Sequence, residues 1–110
     1  MSMASAGSQR GWRIGKEHSH VALEVVLLDR TYLLPWTQFL YAEGGSDEIR
    51  LVFATHDVVA RGAGLSALLT DLAAQRLVGL DEPGRGERFG DAVAGWVREL
   101  TVRKVEPDGL

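Results

Sequence analysis

A chain of 110 residues with 45% apolar, 25% charged and 7% aromatic side chains has the make-up of one globular domain, which excludes a disordered chain, a collagen-like fibre and a coiled coil. The lack of cysteine excludes a disulfide framework, a zinc ribbon and a thiol nucleophile, and no apolar run approaches the roughly 20 residues that span a bilayer. The net charge of −3 is segregated: residues 1–20 and 83–105 each carry +2, residues 21–82 carry −5, and Glu106 and Asp108 complete the sum. An acidic body argues against nucleic-acid binding, which draws its non-specific affinity from neutralised phosphates. The N-terminus has no apolar signal-peptide core, so a cytoplasmic protein without membrane attachment is expected.

Residues 1–17 are small and polar and read as a flexible tail, with Trp12 and Ile14 as its apolar anchors. From His20 the texture changes. Val21, Leu23, Val25 and Leu27 alternate at period two, with Glu24, Val26 and Leu28 between them, as in a central strand covered on both faces. Residues 32–44 (YLLPWTQFLYAEG) read as a second strand interrupted at Pro35, which has no N–H for a ladder. Gly44-Gly45-Ser46-Asp47 marks a turn into a third strand that sends Ile49, Leu51 and Phe53 to one face and Arg50 to the other. His56-Asp57 reads as a short turn into a fourth strand, Asp57–Gly62, and short links of this kind imply an antiparallel meander.

The period then changes to 3.6. Leu65, Leu68, Leu69 and Leu72 fall at i, i+3, i+4 and i+7, one face of an amphipathic helix that Arg76 favours in its last turn and Gly79 ends. Residues 81–86 read as a loop. Phe89, Val93, Trp96 and Val97 have helical spacing, yet Leu100–Val105 alternates, so a short helical or irregular segment to about Trp96 is followed by a closing strand from about Val97 to Val105. The expected architecture is α+β: an antiparallel meander of about four strands, one amphipathic helix packed on the sheet, and a C-terminal strand. It occupies residues 18–106, with 107–110 as a second tail.

Two short motifs carry possible chemistry. Gly62-Ala63-Gly64-Leu65-Ser66-Ala67 lies between a strand and a helix with Asp81 nineteen residues after Gly62, and this resembles the dinucleotide-binding fingerprint. The resemblance implies backbone approach to a pyrophosphate at Gly62, Gly64 and Ala67, and a ribose contact at Asp81. His18-Ser19-His20 with Glu24 resembles the first metal-binding motif of the cupin family; on a strand these three side chains share a face, and His56 offers a further imidazole. Thr31 stands where that family has glycine, and its second motif is missing. His56-Asp57 is a base beside an acid, but neighbours on a strand point to opposite faces. No serine lies in a G-x-S-x-G elbow.

Tyr32, Trp36, Phe39, Tyr41 and Phe53 concentrate aromatic surface on two neighbouring strands. A sheet with apolar residues on both faces needs cover on both, and one helix covers one. Self-association through Trp36, Phe39 and Tyr41 supplies the other. The sequence therefore points to a small non-enzymatic binding or assembly module acting as a homo-oligomer, with a protein partner as a further possibility and no cofactor. The alternative is a small metal- or nucleotide-dependent enzyme using His18, His20 and Glu24 or the glycine loop.

Overall fold

Alternation of inward and outward side chains builds two four-stranded sheets around one core. The computed structural model describes residues 11–15, 21–84 and 95–105. Strand β1 (Trp12–Ile14) lies beside β7 (Leu77–Asp81), followed by β2 (Ala22–Val26) and β3 (Thr31–Pro35), giving the first sheet the order β1-β7-β2-β3. The second sheet is β4 (Phe39–Gly44), β5 (Glu48–Phe53), β6 (His56–Ala63) and β8 (Trp96–Lys104), adjacent in that order. All pairings are antiparallel except β2 with β7. Helix α1 (Ser66–Ala73) carries the chain from the second sheet back to the first.

The α+β class, the single described helix and the C-terminal strand are as the sequence implies. The meander is divided differently. Residues 32–44, read as one interrupted strand, are two strands in different sheets. Pro35 ends β3, and a single 3-10 turn (Trp36–Gln38) carries the chain across. Two hydrogen bonds fix that turn between the sheets: the Trp36 amide donates to the Val21 carbonyl (3.0 Å), and the Ala54 amide to the Gln38 carbonyl (2.8 Å).

The core draws on both sheets and on the helix. Leu23 and Val25 of β2, Ile49 and Leu51 of β5, Val58 and Ala60 of β6, Leu65 and Leu68 at the helix, and Leu80 of β7 are fully buried. Fully burying one such aliphatic side chain is worth roughly 1.5–3 kcal/mol, so this alternation is the main source of the fold's stability. His56 and Asp57 open β6 instead of forming a turn, because the preceding residues Ala54 and Thr55 make it.

Two elements depart from the sequence reading. Residues 12–14, assigned to the tail, form an edge strand, and Trp12 is buried in the core with its indole N–H donating to Asp71 (2.9 Å). The helical segment is also shorter than its leucine pattern implied. It stops at Ala73, Gln75 takes a left-handed conformation (φ 62°), and residues 77–81 form the inner strand β7. The left-handed Gln75 ends the helix, and β7 then buries Leu77 and Leu80 in the core. The tail residues 1–10, the segment 85–94 on which helical spacing was noted, and the tail 107–110 lie outside the described residues.

Candidate functional site

Two acids singled out for different chemistries meet at one arginine. Glu24 from the histidine motif and Asp81 from the glycine-loop motif flank Arg13. Its Nε and Nη2 donate to the two Asp81 oxygens (2.8 and 2.9 Å), and its Nη1 donates to Glu24 (2.9 Å). The sheet dictates this. Arg13 and Glu24 both pair with Gly79, and Asp81 lies two residues on along the same strand, so all three stand on the outer face of β1-β7-β2. Gly79 makes room, since a Cβ there would strike the Arg13 guanidinium. Partial burial opposes charge on Arg13, but the hydrogen bonds to Asp81 and Glu24 outweigh it and raise its pKa above the ordinary arginine value. The fork-to-carboxylate geometry with Asp81 is the strong form of this contact.

His18 and His20 lie outside the described residues, so the structure brings only Glu24 and His56 of that set into view. His56 stands against Thr55 (2.8 Å) and the edge of Tyr32 (ring centroids 5.3 Å apart). Among the described residues no three His, Cys, Asp or Glu side chains converge as a metal site would require.

The glycine loop joins β6 to α1. Gly62 faces Val97 of β8 across a bulge, and a Cβ on it would collide with the Trp96 carbonyl. The loop amides are engaged within the protein. Gly62 donates to the Asp47 carbonyl (3.1 Å), Leu65 to Ser46 (2.7 Å) and Ala67 to Gly64 (3.3 Å). Gly64 is left-handed (φ 63°), and Asp81 stands at the far end of β7 in its bond with Arg13. In this setting the glycines serve a close strand-to-helix connection.

The aromatic residues divide into two groups. Trp36, Phe39 and Phe53 pack on one another with ring centroids 5.3–5.8 Å apart, and only Phe53 is fully buried. Tyr41 instead points outward and is 48% exposed. Leu33 of β3 (66%) and Leu40 of β4 (61%) are exposed as well, the latter turned out of the ladder by a register shift between Phe39 and Tyr41. β3 and β4 are the edge strands joined by the 3-10 turn. Beside them a groove of about 620 Å³ runs between α1 and the turn, lined by Trp36, Phe39, Leu69, Leu72 and Leu77.

The outer face of the second sheet is charged. Arg50 pairs with Asp57 (2.7 Å) and Glu43 (3.8 Å), and Arg61 with Glu48 (3.1 Å) and Glu99 (3.8 Å). The base-and-acid pair read from sequence is thus divided, with Asp57 committed to Arg50 and His56 to Thr55. The bonds of Arg13 to Asp81 and of Trp12 to Asp71 are not legible in the sequence because the partners are 68 and 59 residues apart in the chain. Comparison with protein-family models, with curated proteins and with solved structures finds no match to this chain.

Proposed function

We propose that this protein is a small non-enzymatic assembly module that self-associates through the edge formed by β3, the 3-10 turn and β4. The observation that carries this reading is a contrast between edges. β8 presents Arg98, Glu99, Arg103 and Lys104 to solvent, the usual protection of an edge against pairing, and β1 is only three residues long. β3 and β4 instead expose Leu33, Leu40 and Tyr41. Exposed apolar residues on strands that have one neighbour each among the described residues suit contact with a second copy of the same edge, and a two-fold axis would bring Tyr41 and Leu40 of both copies together. Trp36 and Phe39 support that surface from below through their packing on Phe53.

The test is the solution mass of the untagged protein by native mass spectrometry and light scattering, beside Leu40→Asp and Tyr41→Lys. Trp36 is a poor probe because it packs on the core. Burying one leucine or tyrosine contributes roughly 1.5–3 kcal/mol, so each charge should weaken association about tenfold or more while leaving the melting temperature of the monomer unchanged. A wild-type protein that stays monomeric up to high micromolar concentration, or variants that associate as it does, would refute the reading.

A further inference from the structure

We infer that the groove between α1 and the Trp36–Phe39 turn binds a small uncharged molecule, mostly hydrocarbon, that carries one hydrogen-bond donor. Its volume of about 620 Å³ falls in the range of small-molecule sites, roughly 300–1,000 Å³. Leu77, a core residue, is part of its lining, so the groove borders the core. The walls are aromatic on one side (Trp36, Phe39) and aliphatic on the other (Leu69, Leu72), which matches an alkyl chain. Among the described residues no ionisable side chain lines it, so a charged group entering would lose its hydration without gaining a partner there.

The polar end of the ligand is set by where the groove meets the helix. The last turn of α1 and its exit supply Leu72, Ala73 and Gln75 to the lining. A helix end of this kind offers backbone carbonyls, which accept from a donor. Gln75 is the only non-glycine residue with positive φ among the described residues (φ 62°). It occupies the position after a helix where glycine is favoured, at a cost of about 1 kcal/mol. This conformation sets an amide side chain beside an apolar groove. Its amide both accepts and donates.

This inference is independent of the proposed self-association edge. The full chain is titrated with 1-decanol and, separately, with decanoate at neutral pH below micelle formation, followed by calorimetry, with native mass recorded in parallel. Saturable one-to-one binding of decanol is expected, with decanoate about tenfold or more weaker. Ala73→Trp fills the groove from an exposed helix position and should weaken decanol about tenfold or more without lowering the melting temperature. Gln75→Gly should weaken decanol about three- to tenfold while raising thermal stability, a combination that a merely structural residue would not give. No saturable decanol binding, or binding untouched by Ala73→Trp, overturns the site. Decanoate binding as tightly as decanol overturns the ligand class. Loss of oligomeric mass in Ala73→Trp without any decanol binding also overturns the site and gives the groove to a second copy.

Discussion

The contact between Trp12 and Asp71 shows how one buried hydrogen bond ties the start of the chain to the helix. Asp71 is 7% exposed and accepts from both the Trp12 indole and Arg76 (2.9 Å each), so its carboxylate is satisfied without water. Trp12→Phe removes this donor together with one ring of the buried bicycle. It should cost at least about 1–3 kcal/mol in chemical denaturation, the range for leaving a buried acceptor partly unmet, with the vacated volume adding to it. An unchanged midpoint would mean that the indole N–H contributes nothing net. Arg13 beside it is a different case. Its raised pKa means that the guanidinium gives up its charge only as pH rises through that raised value, above the ordinary arginine range.

At the scale of elements, the β6–α1 connection is governed by approach distance. Gly62 sits where the bulge brings β6 against the Trp96 carbonyl of β8, and a methyl group there has nowhere to go because the obstacle is backbone. Gly62→Ala should therefore destabilise by about 1–3 kcal/mol and loosen the β6–β8 ladder, seen as faster amide exchange at Trp96–Leu100. Normal stability would show that the bulge relaxes. Gly79 contrasts with it, since the group above it is the flexible end of Arg13. The strands β5 and β6 were legible from sequence because their inward residues, Ile49, Leu51 and Phe53, then Val58 and Ala60, alternate without interruption. β7 was not, because five residues after a helix carry no signal that separates a strand from one more helical turn and a loop.

For the molecule as a whole, two sheets share one core, and the first is closed at one edge by only three residues. A chain beginning at residue 16 lacks β1, the Trp12 ring and the Arg13 fork. Losing a buried tryptophan alone costs about 3–5 kcal/mol, comparable with the full stability of a small domain at roughly 5–15 kcal/mol. Such a chain should lose its cooperative thermal transition, and a sharp transition within a few degrees of the intact protein would show that β1 is an accessory. The exposed leucines and tyrosine of β3 and β4 belong to the same scale, since what covers them is decided between molecules and not within one.

The sequence by itself determined the class of the fold, the inward Ile49, Leu51 and Phe53 of β5 with Arg50 on its other face, and the helix stripe of Leu65, Leu68, Leu69 and Leu72, because these follow from side-chain periods of two and 3.6 that any packing must respect. Only the tertiary structure decided that Pro35 sends the chain from one sheet to another, that Trp12 belongs to the core, and that Glu24 and Asp81 share Arg13. Those facts depend on strand order and on partners up to 68 residues apart, and local pattern holds no record of which strands become neighbours.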